Sequence, residues 1–273
     1  MSQQGSYQIS TIASNVEKEL ERLKAQVDLF WDKELKHYKE FGLNDGMSVV
    51  EIGSGPGFVS EKILENFGSV HITMMEIDPL LVNYSKSYLA QKNYTRFEIT
   101  QGSITETGFP ENTFDFAIIR LVVEHLPDPI DAVREILRIL KPGGKAVFVD
   151  NDFEMHIITY PQILQLRELY DAYCKSRYSE GGNPRIGREL PMLLKKGGFS
   201  KIDLEIICAH SEILGEEIFF KSEGIGIPTK LVQDGFLSSK TLGEISIEWR
   251  NMIKSNDHAL VRQLYMAVGE KPL

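Results

Sequence analysis

Three glycines at alternate positions, with a carboxylate just before them, form the segment of this sequence whose spacing suggests chemistry most directly. The segment reads VVEIGSGPGFVSEKIL, and in it Glu51 precedes Gly53, Gly55 and Gly57. A β-branched run, a glycine turn and a helix-like run predict a strand, a tight turn and the start of a helix. Backbone at such a turn can contact a ligand directly, so the segment predicts a cradle for an anion or another polar group.

The order of the glycines separates two classes of ligand. Dinucleotide-binding turns have the pattern GxGxxG, whose last glycine lets the helix pack on the strand while the helix N-terminus faces a pyrophosphate. Here Phe58 occupies the position of that last glycine. Glu51 would repel a pyrophosphate but attract an ammonium group. The segment therefore favours a ligand with a cationic amino-acid end, and a NAD(P)-dependent oxidoreductase is kept as an alternative.

A second carboxylate stands where the next strand is predicted to end. The segment HITMMEID places Glu76 at that end, with Ile77 directly after it. In doubly wound sheets a carboxylate at this point accepts hydrogen bonds from the two vicinal hydroxyls of a ribose. Ile77 is in position to pack on the face of the base. Glu76 thus predicts nucleoside binding without distinguishing the two cofactor classes.

The elements that must position these residues follow from the hydrophobic pattern. Residues 14–41 have apolar side chains at helical spacing, and Gly42 ends that helix. Short apolar runs then alternate with helical segments, which predicts βαβ units and a parallel sheet covered on both faces. The predicted strands are Val49–Ile52, Val70–Ile77, Thr95–Thr100, Phe114–Leu121, Lys145–Asp150, Ile202–Cys208 and 261–271, and the predicted helices among them are 58–67, 79–92, 128–140, 160–178 and 187–196.

The regular alternation of predicted strands and helices ends after Asp150, and the predicted domain organisation follows from this. We expect a helical lid over residues 1–45 and a cofactor-binding core over 46–150. Residues 151–273 are expected to hold the remaining core strands, with two insertions, 151–190 and 211–258, forming a cap over the substrate. Aromatic residues of the lid and the cap offer pocket walls: Tyr7, Phe30, Trp31, Phe153, Tyr160, Phe219, Phe220 and Trp249.

Four segments resemble class I S-adenosylmethionine-dependent methyltransferases. Glu51-Ile52-Gly53-Ser54-Gly55-Pro56-Gly57 resembles their motif I, (D/E)xGxGxG. QGSITETGFPENTFDFAII resembles their GDxxxLPFxxxxFD segment, and FDFAIIRLVVEHLPDPIDAVREILRILKPGG resembles their fourth strand, the following helix and the LKPGG turn. ERLKAQ resembles the N-terminal helix of the small-molecule branch, the methyltransferase type 11/25-like proteins. The resemblance is specific from about residue 46 to 150 and looser at 15–45 and 186–208.

The resemblance implies a fold and a cofactor. The fold is α/β, a doubly wound Rossmann-like, seven-stranded, mostly parallel sheet with helices on both faces, an N-terminal helix and a cap of C-terminal insertions. The cofactor is S-adenosyl-L-methionine, with S-adenosyl-L-homocysteine as product. Ser103 replaces the acid that usually faces the adenine amino group, and backbone carbonyls at the end of the fourth strand would receive the ammonium group. The implied cofactor-binding residues are Glu51, Gly53, Ser54, Gly55, Gly57, Glu76, Ile77, Gly102, Ser103, Ile104, Arg120 and Leu121.

Methyl transfer from a sulfonium is a direct displacement, so alignment of the reactants and exclusion of water matter more than a fixed catalytic set. A general base is required only where the acceptor must lose a proton. The weak candidate is His125, beside the crevice, and Asp150, Asp152 and His156 follow the fifth strand. We predict a small-molecule acceptor and no metal, and a non-catalytic protein that binds the cofactor is a further alternative.

The net charge of −9, from 30 Lys and Arg against 39 Asp and Glu, disfavours nucleic acid and anionic lipid as partners. No apolar run approaches the roughly 20 residues that a membrane helix needs. The N-terminal residues MSQQGSYQIS lack the order of a signal peptide. Two cysteines without CxxC spacing argue against a zinc site and suit a reducing compartment, so we predict a cytoplasmic protein. A homo-oligomer is compatible with these properties.

Overall fold

The computed structural model describes residues 15–223 and 226–273, in which one mixed sheet of eight strands is covered by helices. Residues 1–14, and with them Tyr7, lie outside the described part of the chain. The strands are β1 Ser48–Ile52, β2 His71–Glu76, β3 Phe97–Gln101, β4 Phe114–Arg120, β5 Leu140–Asp150, β6 Ile157–Tyr160, β7 Ser200–His210 and β8 Ala259–Glu270. The helices are α1 Val16–Glu40, α2 Phe58–Asn66, α3 Pro79–Gln91, α4 Pro129–Ile139, α5 Leu166–Ser179, α6 Leu190–Gly197, α7 Ser211–Leu214, α8 Glu216–Glu223, α9 Gly226–Gln233 and α10 Ser239–Lys254.

The sheet reverses its strand order between β1 and β4. Strands β3, β2, β1, β4 and β5 are parallel neighbours in that spatial order. β8 runs antiparallel to β5, with Asp150 opposite Tyr265. β7 and β6 also pair antiparallel with β8, and Arg262 of β8 lies opposite Ile157 of β6. The carboxyl ends of β1 and β4 therefore border a crevice at a topological switch point, where α/β sheets bind ligands.

Helices bury both faces of this sheet, as its continuous apolar strands require. One face packs against α1 and α2 and against α5, α8 and α10, which we call the cap helices. The core on this face includes Phe30, Phe58, Phe116, Phe219 and Met266. The other face packs against α4 and α6, in a core that includes Val50, Ile119, Ile136 and Leu194. Hence α1 and the cap lie on the same side of the sheet.

Short-range capping fixes where three of the helices begin. The Asn15 side chain accepts a hydrogen bond from the Lys18 N–H at the start of α1. Asp78 and Asp128 each accept from the backbone two residues on, and each precedes a proline in the first turn of α3 or α4. An acidic N-cap followed by proline is a strong local start signal, because the proline has no N–H to satisfy.

The α/β fold with a doubly wound, mostly parallel sheet is confirmed, including an antiparallel strand near the C-terminus. The strand count is a correction, since eight strands are present where seven were expected. The additional strand is β6, four residues immediately before the segment predicted as helix 160–178. Its extended conformation is specified by pairing with β8, about 100 residues later in the chain, which no local pattern reveals. The division into lid, core and cap stays a prediction.

Candidate functional site

The three glycines form the turn from β1 into α2. Gly53, Gly55 and Gly57 have φ angles of 70°, 53° and 83°, all in the left-handed region that favours glycine. The N–H groups of Gly53 and Ser54 donate to the Met75 carbonyl at 2.8 and 3.1 Å, which ties the turn to the end of β2. The sequence prediction of a strand, a glycine turn and a helix start is confirmed here.

The glycines differ in what a side chain would meet. A Cβ on Gly53 would lie 2.4 Å from Cγ2 of Val122, and a Cβ on Gly57 would lie 2.9 Å from Cε of Met74. A Cβ on Gly55 would meet nothing within 4 Å among the described residues. Packing of the strands and α2 therefore requires two of the glycines, whereas Gly55 borders open space. This is the geometry of a backbone cradle for a ligand.

Ser54 adds a polar group to the same turn. Ser54 is buried, and its Oγ has no hydrogen-bond partner among the described residues. Buried hydroxyls are normally satisfied, because leaving one without a partner costs free energy. A polar ligand in the cradle would supply the partner.

Glu76 lies beside the cradle, at the end of β2. One of its carboxylate oxygens, Oε2, accepts from the Gly55 N–H at 2.8 Å. The other, Oε1, accepts from the N–H groups of Ile77 and Asp78 at 2.8 and 2.9 Å. Burial raises the pKa of Glu76, while these three backbone donors oppose the rise. Oε2 retains a further lone-pair direction, so Glu76 can accept from an additional hydroxyl at the edge of the turn.

Glu51 lies beneath the turn and is buried. Its Oε2 accepts a hydrogen bond from the Ser60 hydroxyl in the first turn of α2. Burial raises the pKa of Glu51 to about 7, although the Ser60 hydrogen bond and the positive charge of Arg120 lower it. Glu51 is thus a carboxyl group whose charge depends on pH near neutrality.

The end of β3 completes the nucleoside side of the crevice. The Gly102 N–H donates to the Glu76 carbonyl at 3.0 Å, and Ile104 is buried. The Ser103 hydroxyl lies 3.0 Å from Oγ1 of Thr105, so it already has a partner within its own turn. Ile77 is half-buried. These residues are close to Glu76, and their roles in holding an adenine ring stay predictions.

The end of β4 closes the opposite side of the crevice. Leu121 has a φ of 56°, an unusual left-handed conformation for a non-glycine residue. Such strain costs about 1–3 kcal/mol and clusters at functional sites. The Leu121 N–H donates to the Val149 carbonyl at 2.7 Å, and Val122 packs against Gly53. The structure therefore brings the end of β4 against the glycine turn.

The Arg120 side chain is engaged by α1, and the role of this residue in cofactor binding stays a prediction. Its guanidinium contacts both carboxylate oxygens of Glu34 in α1, at 2.9 to 3.0 Å, and donates to the Gln26 carbonyl at 3.0 Å. Tyr38 also donates to Glu34, at 3.1 Å. The Arg120 side chain holds α1 over the carboxyl ends of the strands.

His125 lies in a single helical turn, Val123–His125, just after β4. Burial and the positive charge of Arg177 lower the pKa of His125 to about 3. A group with this pKa is neutral at pH 7 and holds a proton poorly. The role of His125 as general base stays a prediction.

Two buried carboxyl groups lie deeper in the crevice. Glu124 follows β4, and Asp150 ends β5. Asp150 accepts from the backbone N–H groups of Glu124 and Asn151 at 3.3 and 2.9 Å, and the Asn151 side chain donates to Glu124 Oε1 at 3.1 Å. Burial raises the pKa of Glu124 to about 7. Burial also raises the pKa of Asp150 well above its usual range, and the negative charge of Glu124 raises it further. Burial thus disfavours the charged form of both carboxyl groups.

A polar cluster, defined as His156, Tyr170, Glu223 and Arg262, lies beyond β5 under the cap. His156 Nε2 is 3.1 Å from Glu223 Oε2, and Arg262 Nη1 is 2.8 Å from Glu223 Oε1. The Tyr170 ring stands edge-on to the His156 ring at 5.6 Å. His156 and Arg262 are 4% and 1% exposed. Charged groups this deeply buried are rare in soluble proteins and mark a candidate site.

Sequence reasoning did not find Glu223 or Arg262. Arg262 carried a usable signal, because alternation in β8 puts it on the face of Leu260, Leu264 and Met266, which are all fully buried. A charged residue at an inward strand position needs a buried partner. Of the aromatic residues expected to form walls, Phe153 stacks on His156 at 4.2 Å, whereas Tyr160 is 59% exposed and does not enclose the crevice.

Two searches of the described residues bear on membranes and metals. In residues 15–223 and 226–273, no helix is both long and apolar enough to cross a membrane. Across the same ranges, no three His, Cys, Asp or Glu side chains are grouped so that they would hold a metal ion.

Comparison with known sequences finds a family model that matches part of the chain. Residues 50–148 match the model of the family described as "Methyltransferase domain". A demethylmenaquinone methyltransferase of Listeria monocytogenes is 25% identical over 144 residues, 52% of this chain and 57% of that protein. A ubiquinone/menaquinone biosynthesis C-methyltransferase of Shewanella sediminis is 27% identical over 134 residues, 48% of this chain and 51% of that protein. The matched region thus spans little more than half the length of these relatives.

Solved structures agree on the fold. Phosphoethanolamine N-methyltransferase 2 of Haemonchus contortus, in complex with S-adenosyl-L-methionine, superposes with a TM-score of 0.58 at 19% identity and covers 91% of this chain and 56% of that one. A methyltransferase from Bacillus halodurans superposes with a TM-score of 0.57 at 15% identity and covers 88% and 98%. Residues 50–148 thus match a methyltransferase domain, and the chain as a whole shares the fold of these solved structures.

Proposed function

We propose that this protein is an S-adenosyl-L-methionine-dependent methyltransferase that acts on a small molecule and releases S-adenosyl-L-homocysteine. The observation that carries the proposal is the contact of Gly55 with Glu76. In this contact the N–H of a glycine that borders open space donates to a carboxylate oxygen that can accept one more hydrogen bond. The curated relatives, all named methyltransferases, support it. The pyrophosphate alternative loses support, because Phe58 is buried where a dinucleotide turn has its third glycine.

The residues of the crevice fit this cofactor. Glu76 Oε2 would accept from the ribose diol, and the backbone of Gly53 to Gly55, with the Ser54 hydroxyl, would contact the amino-acid part. The backbone carbonyls of Arg120 and Leu121, and Glu51 beneath them, would attract its ammonium group. Gly102, Ser103, Ile104 and Ile77 lie where the adenine ring would pack. Gly57 supports the turn through its packing against Met74.

When bound, the cofactor supplies a methyl group already activated by the positive charge of sulfur. The chain therefore has to align the acceptor and exclude water. Helix α1, which Arg120 and Glu34 hold over the carboxyl ends of the strands, and the cap helices beside it are positioned for both tasks. A cytoplasmic location is part of the proposal, since Cys174 and Cys208 are free thiols. Homo-oligomerisation stays a prediction.

Two measurements test the proposal. Isothermal titration should show binding of S-adenosyl-L-methionine and S-adenosyl-L-homocysteine and no comparable binding of NAD(H). Release of S-adenosyl-L-homocysteine should then be followed with three acceptor sources: 1,4-naphthohydroquinone, phosphoethanolamine and a bacterial small-molecule extract. The first two follow the names of similar proteins. Tight NAD(H) binding without cofactor binding would favour an oxidoreductase. Cofactor binding without any acceptor-dependent release would favour a binding module.

Replacing Glu76 by alanine should weaken S-adenosyl-L-methionine binding by about 1–3 kcal/mol, or roughly tenfold to a hundredfold, because the ribose diol loses its acceptor. The Glu76→Gln variant keeps one acceptor oxygen and should show a smaller loss. Titration calorimetry measures both, and thermal unfolding without ligand reports how far the loss of the Gly55, Ile77 and Asp78 hydrogen bonds destabilises the turn. Unchanged affinity in folded Glu76→Ala would remove Glu76 from the site.

Binding of S-adenosyl-L-methionine should strengthen about tenfold from pH 5.5 to 7, with proton release. In the free protein Glu51 has a pKa of about 7, so it is mostly protonated at the lower pH. The ammonium group favours the carboxylate and lowers that pKa in the complex, and affinity follows by linkage. Calorimetry across this pH range measures it. The Glu51→Gln variant should lose the dependence; the same slope in that variant would assign the titration to another group.

A further inference from the structure

His156, Glu223 and Arg262 form a chain of charged contacts that the binding of the cofactor does not use. They come from the loop after β5, from the end of α8 and from β8. Glu223 has one oxygen 3.1 Å from His156 Nε2 and the other 2.8 Å from Arg262 Nη1. Arg262 also donates to the Ser222 hydroxyl at 3.3 Å. The carboxylate thus bridges the imidazole and the guanidinium.

This arrangement fixes the tautomer of His156. The positive charge of Arg262 and the hydrogen bond from His156 hold the pKa of Glu223 at about 2 against the effect of burial, so Glu223 is ionised at neutral pH. An ionised carboxylate accepts but does not donate, so the imidazole nitrogen facing it carries the proton. The other nitrogen, Nδ1, then presents a lone pair.

Nδ1 is buried and has no partner among the described residues. Leaving a buried polar atom without a partner is unfavourable, and a bound group that pairs with it removes that cost. The ring itself is held: Phe153 stacks on it at 4.2 Å and an interplanar angle of 14°, and Tyr170 meets it edge-on at 5.6 Å. The orientation of Nδ1 is therefore set before any ligand arrives.

The cluster lies beyond the carboxyl end of β5, on the face of the sheet that α1 covers. His156 follows β5, whose carboxyl end adjoins that of β4. Arg262 faces the same side of the sheet as Arg120 and α1, since its guanidinium lies 5.7 Å from the ring of Phe30 in α1. Both the lid helix and the cap thus enclose His156, above the strand ends that bound the cofactor cradle.

We propose that His156 is the general base of the methyl transfer, with Glu223 and Arg262 as its positioning residues. This rests on the proposed function. In the step, an electron pair of the acceptor atom, either a lone pair or the pair freed as its proton leaves, forms the bond to the methyl carbon. The bond from that carbon to sulfur breaks and leaves its electron pair on sulfur. The proton of the acceptor atom moves to Nδ1 of His156. The acceptor therefore belongs to the class that must lose a proton, such as a hydroxyl, a protonated amine or an acidic C–H.

The charges that face His156 set its response to pH. Burial lowers its pKa, Glu223 raises it, and Arg262 and Arg22 of α1 lower it; the Tyr170 hydroxyl, whose own pKa burial raises well above the usual range, stays neutral. The pKa thus lies below the ordinary value of about 6.5. Activity should fall as pH decreases through this lowered pKa, where the imidazole becomes protonated.

The test uses the full chain with labelled S-adenosyl-L-methionine and the three acceptor sources named above, at low acceptor concentration so that the rate reports kcat/KM. We expect His156→Asn to lose about a hundredfold to ten-thousandfold in kcat/KM, the usual contribution of a base. Cofactor affinity should change less than twofold. The acid limb of the pH profile should disappear in this variant.

Glu223 has its own signature. Glu223→Gln removes the charge that raises the His156 pKa, so the acid limb should move to lower pH while the plateau falls at least about tenfold. Glu223→Asp should recover part of the rate. A purely structural role would lower the rate without moving the limb. The matched control is the histidine–glutamate pair of His258 and Glu216, 2.6 Å apart and remote from β5; His258→Asn should leave the profile unchanged.

The possible results distinguish failure of the His156 proposal from failure of the proposed methyltransferase function. Two results would overturn the assignment of His156 as the base. One is a wild-type rate of methyl transfer in folded His156→Asn, and the other is an acid limb of the pH profile that is unchanged in both variants. Either result would leave the proposed methyltransferase function intact. No transfer by the wild type with any acceptor source would overturn both. Thermal unfolding and cofactor titration of each variant show whether it is folded.

Discussion

Replacing Gly55 by valine should abolish S-adenosyl-L-methionine binding while the protein stays folded. The added side chain would occupy the open space over the turn, which the cofactor backbone contact needs. The left-handed φ of 53° adds backbone strain of about 1–3 kcal/mol. That cost lowers stability without unfolding a domain of ordinary stability. Titration calorimetry should show affinity reduced at least about a hundredfold, equivalent to nearly 3 kcal/mol.

A matched control separates backbone strain from loss of the cradle. Gly46 has a φ of 82°, and a Cβ there would also meet nothing within 4 Å among the described residues. It lies in the turn before β1, at the opposite end of that strand from Gly55. Gly46→Val should therefore lose similar stability and keep full cofactor affinity. Wild-type affinity in folded Gly55→Val would refute the assignment of the cradle.

Replacing Arg120 by methionine should destabilise the protein by about 3–5 kcal/mol, the usual cost of leaving one member of a buried ion pair. Glu34 is fully buried, and Arg120 has a side chain only 7% exposed. Without the guanidinium, Glu34 would keep only the hydrogen bond from Tyr38. Thermal unfolding should shift downward by about 10 °C, given about 2–4 °C per kcal/mol for a chain of this size.

Two further variants show whether the stability lost in Arg120→Met comes from the buried ion pair. The double variant, with both Arg120 and Glu34 replaced by methionine, should be more stable than Arg120→Met alone, because no buried charge is left unpaired. Arg134→Met breaks a pair with Asp131 at 3.6 Å in which both side chains are more than 60% exposed, and it should change stability by less than about 1 kcal/mol. Equal effects of Arg120→Met and Arg134→Met would show that the Arg120–Glu34 pair does not hold α1.

The fold and the cradle could be predicted because the sequence encodes them locally. Apolar runs of strand length, prolines behind acidic caps and the spacing of Gly53, Gly55 and Gly57 each specify a conformation within a few residues. Strand alternation with helices then leaves one topology for the first five strands. Glu76 follows from the same logic, since the end of β2 must adjoin the turn after β1. β6 escaped prediction because four residues carry little pattern of their own.

The sequence by itself therefore determined the class of fold, the glycine turn and the carboxylate beside it. Tertiary structure alone decided which charged side chains meet. Arg120 and Glu34 are 86 residues apart in the chain, and His156 and Glu223 are 67 apart. The physical reason is that backbone conformation depends on near neighbours, whereas a buried charge is stable only with a partner that packing brings to it. The same packing brought Glu223 against His156, a contact that the sequence does not show.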